Sequence, residues 1–119
     1  MIHAVHNVIY ACDAEAARGF FRDTLNLPFA DAGHGWLIFA LPPAELGIHP
    51  SGENRHQMYL MCDDIEATVA DLKAKGVEFT SEITDQGWGR LTAFKVPGAG
   101  EMSLYQPRHA SPPTTAKPA

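Results

Sequence analysis

The sequence predicts an α+β fold built from two tandem βαβββ modules. Three observations carry this reading. The chain has 119 residues, 45% of them hydrophobic and 19% charged, which suits one domain with a buried core. Slid against itself, it lays His6–Asp13 over His56–Asp63, with Ala17 over Ala67 and Phe29 over Phe79. In each copy an apolar stretch passes into helical spacing and then into short stretches divided by Gly and Pro.

The elements follow in order. Val5 to Ala11 and Met58 to Met61 are rich in strand formers, and each run leads to an aspartate suited to cap a helix, Asp13 or Asp63. Asp63 with Glu66 three residues later has the form of a capping box. Ala17, Phe20, Phe21 and Leu25 mark one helical face, and Ile65, Val69 and Leu72 mark the other. Asn26 and Gly76 stand where those helices end and tolerate the left-handed conformation of a C-terminal cap. Strands are expected at Phe29 to Ala32, Trp36 to Leu41 and Glu45 to His49. Their second-half counterparts are Val77 to Ile83, Arg90 to Val96 and Glu101 to Gln106. The domain is expected to span 1–108, with modules of about 2–50 and 55–108, followed by a disordered tail at 109–119 whose composition offers little to bury.

Charge narrows the function classes. With 9 Lys+Arg against 14 Asp+Glu the net charge is −5, which argues against a nucleic-acid binder. No apolar run reaches the roughly 18–20 residues of a spanning helix, and the first residues lack the pattern of a secretory signal. Cys12 and Cys62 suit a reduced, cytoplasmic protein.

The paired modules resemble the vicinal oxygen chelate superfamily, which includes glyoxalase I, extradiol dioxygenases and bleomycin-binding proteins. The resemblance rests on the His6…Asp13 entry to a helix ending near Leu25-Asn26-Leu27-Pro28. It rests also on Asp63-Asp64-Ile65-Glu66, on Lys75-Gly76-Val77 and on Pro97-Gly98-Ala99-Gly100 before a final strand. It covers roughly residues 2–108. It implies that the strands curve into a half-open mixed β-sheet barrel with flanking helices and a small-molecule cavity inside.

In such a fold a His on the first strand, a His or Gln early in the second half and a Glu on the last strand hold a divalent ion. That ion, Fe, Mn, Ni or Zn, chelates two adjacent substrate oxygens. The resemblance places His6 at the first position. Counting back from Asp63 places Gln57 inward at the second, and a one-residue slip would bring His56 there instead. The carboxylate position holds Ser103. Glu101 and Tyr105 share its strand parity, so Glu101 is a candidate ligand, and both are candidate catalytic groups. His49, Trp36, Trp88 and Ser103 are candidate pocket residues, while Arg90 could bind an anionic group, although a surface ion pair is the commoner role.

Two functions follow. One is a metal-dependent lyase or dioxygenase using His6, Gln57 and Glu101. The other is a metal-free protein that sequesters a small organic molecule, which the missing carboxylate and the aromatic residues favour. The open barrel edge predicts a homodimer.

Overall fold

Each helix begins at an aspartate, because the first N–H groups of a helix lack partners inside it. In the computed structural model, which describes residues 7, 9–45, 50, 52, 54 and 57–110, Asp13 accepts from the Ala16 N–H at 3.1 Å and starts α1 (Ala14–Gly19). The helix widens into a π-helical turn over Phe20–Thr24, where the Leu25 N–H reaches back five residues to the Phe20 carbonyl at 3.1 Å. Asn26, at φ 55°, ends it as expected.

The second helix, α2 (Ile65–Ala74), is capped by Asp64, which accepts from the Ala67 N–H at 3.1 Å. The cap is therefore one residue later than the sequence suggests. Either aspartate could serve chemically, and a distant contact decides between them. Ile65 is fully buried, and the side-chain oxygen of Gln106 accepts its N–H at 2.9 Å.

The first half contributes a hairpin, β1 (Phe29–Asp31) antiparallel to β2 (Leu37–Phe39), as a separate two-stranded sheet. The second half supplies β3 (Tyr59–Met61), β4 (Thr84–Asp85), β5 (Gly89–Lys95) and β6 (Glu101–Pro107). These form one sheet in the order β3-β6-β5-β4, in which β3 runs parallel to β6 and the other pairs are antiparallel. With α2 between β3 and β4, this half is a βαβββ unit. The domain is mixed α+β, and among the described residues its two helices accompany two sheets that do not close into a barrel.

The strand expected over Val77 to Ile83 is broken. Phe79 forms a single bridge to Phe94, flanked by bonds from the Thr80 N–H to the Ala93 carbonyl and from the Lys95 N–H to the Glu78 carbonyl, each 2.8 Å. The Thr92 hydroxyl then takes the Ser81 carbonyl at 2.9 Å. A side chain here replaces a ladder partner, and regular pairing resumes only at β4. Residues 7 and 9–11 carry no strand, whereas residues 5, 6 and 8 of the first expected strand, 46–49 of the strand expected over 45–49 and 111–119 of the expected tail lie outside the described residues.

The core joins the halves. Phe94 and Ile65 are fully buried, packed with Val96, Met102 and Leu104 from the sheet and with Ala17, Phe20 and Phe21 from the first half. The Phe20 and Phe94 rings lie 5.9 Å apart. Burial of each such side chain contributes about 1.5–3 kcal/mol. Among the described residues no helix is long and apolar enough to cross a membrane.

Candidate functional site

Strand alternation sorts the sheet's side chains into two faces. Met102 and Leu104 point to the helices, as do Phe94 and Leu60 on the neighbouring strands. Their alternates face the other way: Glu101, Ser103 and Tyr105 on β6, Leu91 and Ala93 on β5, Tyr59 and Met61 on β3. The register agrees, pairing Tyr59 and Ala93 with Ser103, and Leu91 with Tyr105. Among the described residues this face is helix-free, and it holds the candidate site.

One end of it is aromatic. Tyr59, Trp88 and Tyr105 form a triangle with centroid separations of 5.4 Å for Tyr59–Tyr105, 5.6 Å for Trp88–Tyr105 and 6.2 Å for Tyr59–Trp88. All three contacts are edge-to-face, the arrangement ring quadrupoles prefer. Gly89 makes the close approach possible, since a Cβ there would meet the Gln106 carbonyl at 2.8 Å and Tyr105 Cδ2 at 3.2 Å. Tyr105 is buried, whereas Trp88 remains 44% exposed and offers ring surface to solvent.

The segment after β6 wraps back over this cluster. The Arg108 N–H donates to the Trp88 carbonyl at 2.9 Å, and its guanidinium pairs with Asp85. The His109 ring lies 6.0 Å from that of Tyr105, with Nε2 3.3 Å from the phenol oxygen. His109 Nδ1 faces the Ala110 carbonyl at 2.9 Å. A carbonyl only accepts, so in the neutral ring Nδ1 carries the proton and Tyr105 donates to Nε2. Burial, aided by the charge of Glu45 and by Tyr59, pushes the Tyr105 hydroxyl above its ordinary pKa. Tyr105 therefore stays protonated at neutral pH and acts as a hydrogen-bond donor.

The other end is polar. A cavity of about 300 Å³ opens at the start of β6, lined in part by Ile9, Gln57, Glu101 and Ser103. Tyr59 links the two ends, donating from its hydroxyl to Gln57 Oε1 at 2.9 Å. Glu101 Oε2 accepts from the Thr80 hydroxyl at 2.8 Å. Beside it, Lys95 is held by Glu78 at 3.2 Å. A wider groove of about 1000 Å³ runs from Tyr10 and Phe20 to the Pro97–Gly100 turn. Turn backbone forms much of its wall, and its lysines, Lys75 and Lys95, are paired with Asp71 and Glu78.

The structure thus brings Gln57, Glu101 and Ser103 to one cavity and Trp88 and Tyr105 to the adjoining cluster. Trp36 stands apart from that cluster, in the turn of the β1–β2 hairpin, 64% exposed and with no ring partner among the described residues. His6, His49 and His56 lie outside the described residues. Arg90 pairs with Glu66 at 2.9 Å on the helix side. Sequence reasoning passed over Tyr59 and His109. Tyr59 was within reach, since it stands two residues after Gln57 and strand parity gives both one face. His109 carried no such signal, because its partner is fixed by the path of the chain after β6.

The described donors do not fit a chelated divalent ion. Gln57 and Ser103 are neutral, Glu101 is the carboxylate beside them, and among the described residues no three His, Cys, Asp or Glu side chains converge. Transition-metal sites ordinarily gather several imidazole, thiolate or carboxylate ligands.

Residues 3–101 match the family described as Glyoxalase/Bleomycin resistance protein/Dioxygenase superfamily. Among solved structures, an antibiotic binding protein, TnmS3, from Streptomyces sp. CB03234 is similar, with a TM-score of 0.65 and 26% identity over 90% of this chain and 97% of that one. A superfamily member from Sphaerobacter thermophilus gives a TM-score of 0.61 and 25% identity over 88% of this chain and 98% of that one. A lactoylglutathione lyase from Agrobacterium tumefaciens, at 14% identity, shares the fold with a TM-score of 0.63 over 87% of this chain and 92% of that one. No curated protein matches the chain.

Proposed function

We propose that this chain, which belongs to the Glyoxalase/Bleomycin resistance protein/Dioxygenase superfamily, binds a small organic molecule on the helix-free face of its four-stranded sheet and holds it without chemical change. The observation that carries this reading is the Tyr59–Trp88–Tyr105 triangle beside a polar cavity. Aromatic surface with a few placed polar groups is the usual composition of a ligand pocket. Glu101 and Tyr105 then act as contacts that orient the ligand, and Gln57 and Ser103 supply neutral hydrogen-bonding groups. The similarity to a Streptomyces protein described as antibiotic-binding supports the same class of function.

The protein works as a homodimer in the cytoplasm. Its two free thiols suit a reducing compartment. An isolated two-stranded hairpin is marginal alone, and here Phe29, Trp36, Ile38 and Leu41 are all exposed on or beside it.

Intrinsic fluorescence tests the binding reading, because the chain has two tryptophans. Titration with a panel of aromatic small molecules is expected to quench Trp88, so the signal persists in Trp36→Phe and disappears in Trp88→Phe. Quenching that follows Trp36 would move the site elsewhere. Elemental analysis of untagged protein addresses the enzyme reading. A stoichiometric transition metal lost in both Gln57→Ala and Glu101→Ala would replace sequestration with metal-dependent chemistry.

A further inference from the structure

The geometry points to a specific ligand class: a planar aromatic amine whose ring lies against Tyr59, Trp88 and Tyr105 and whose ammonium group enters the cavity at Gln57, Ser103 and Glu101. The inference rests on the binding reading above and adds the length and polarity of what is bound.

Length comes from the strand. Glu101, Ser103 and Tyr105 alternate along one face of β6, so the carboxylate and the phenol start from points roughly 13 Å apart. Tyr59 stands beside Ser103 across the parallel pairing and bonds to Gln57, so the two ends are linked by side chains. A ligand that uses both must carry its ring and its polar group at opposite ends.

Polarity comes from the charges. At the cavity, Glu101 is the acidic group among Gln57, Ser103 and apolar side chains such as Ile9 and Met58. A carboxylate can accept at both oxygens, and Thr80 bonds to Oε2. The nearest lysine, Lys95, directly across the strand pair from Glu101, is held by Glu78. At the other end the ring faces are electron-rich and favour cations. The negative charge of Glu45 reaches Tyr105 as well. The carboxylate end therefore favours positive charge and the aromatic end a ring edge or face, and a ring with an amine satisfies each.

Dansylcadaverine, a fluorescent ring carrying a flexible primary amine, is a direct probe, and its N-acetylated form removes the charge while keeping the ring. The amine is expected to bind about tenfold more tightly than the amide, with a gap that narrows as salt rises. Glu101→Gln is expected to close most of that gap, and Trp88→Ala to weaken both probes, with circular dichroism confirming that each variant folds. Equal affinity for the two probes, or a gap that survives Glu101→Gln, overturns the inference and leaves the binding reading standing. Failure of both probes to bind at all, together with an absence of quenching by the wider panel, overturns the binding reading and this inference with it.

Discussion

The backbone N–H of Asp13 donates to the carbonyl of Gly98 at 2.9 Å, joining the start of α1 to the turn between β5 and β6. Gly98 has φ +77°, and a Cβ there would collide with the Asp13 backbone and approach its Cβ to 2.6 Å. Gly98→Ala is expected to cost about 2–4 kcal/mol, combining left-handed strain with overpacking. Gly100 has a similar φ of +78° but open space around it, so Gly100→Ala should cost only about 1–2 kcal/mol. Urea melts of the two variants separate collision from strain, and equal losses would show that the Asp13 contact yields freely.

Phe94 and Glu66 mark opposite extremes of stability. Phe94 is fully buried between the Phe20 and Phe79 rings, and Phe94→Ala should cost about 3–5 kcal/mol. Glu66 pairs with Arg90 at 2.9 Å, yet its side chain is 70% exposed. Glu66→Gln should cost under about 1 kcal/mol. Thermal melts provide the comparison, and a large loss in Glu66→Gln would contradict the solvent-screened pairing.

Alkaline pH should destabilise the fold through Tyr105. Its folded pKa is raised by burial first, then by Glu45 and Tyr59. As pH climbs past the ordinary phenol value, the unfolded chain releases this proton before the folded one does. The unfolded state then binds fewer protons, so stability falls with rising pH. Tyr105→Phe should flatten that decline in denaturant melts. It should also remove a tyrosinate absorbance step lying above the ordinary phenol range. An unchanged slope would mean that the phenol ionises equally in both states.

The two thiols should react at different rates. Cys12 is exposed, while Cys62 is half-buried, donates to the Tyr105 carbonyl at 3.6 Å and has its pKa pushed up by burial. A disulfide reagent at neutral pH should show one fast and one slow thiol, because the thiolate is the attacking form. Cys12→Ser should leave only the slow phase, and a fast Cys62 would require local opening of β3.

Association should run through the β1–β2 hairpin. Phe39 turns toward Phe21, with ring centroids 5.9 Å apart, so its neighbour Ile38 faces the other way and is 38% exposed. Ile38→Lys is expected to convert a dimer to a monomer in sedimentation velocity. A monomeric wild-type protein would remove the dimer from the proposal.

The parts of the fold that sequence made legible are those with local causes. Asp13, Asn26 and Gly76 mark helix ends because capping chemistry lies within a few residues of each. The alternation along β6 is equally local, which is why Glu101, Ser103 and Tyr105 could be assigned one face in advance. The errors have distant causes. Gln106 fixes the first turn of α2 on Asp64 rather than Asp63, and the Thr92 hydroxyl interrupts pairing at Ser81. The lid over Tyr105 was hidden for the same reason, since a polar tail composition carries no trace of the contact that His109 makes.

The shared core also has a consequence for synthesis. Phe20 and Phe21 leave the ribosome early, but Phe94, Val96 and Met102, against which they are buried, are made roughly 70–80 residues later. At bacterial to eukaryotic elongation rates that interval is on the order of 4–15 s. During it Phe20 and Phe21 lack the four-stranded sheet that covers them, and β3 waits for β6 in the same way. The nascent chain therefore exposes the faces of Phe20 and Phe21 that pack on Phe94, Val96 and Met102 until β5 and β6 have been made.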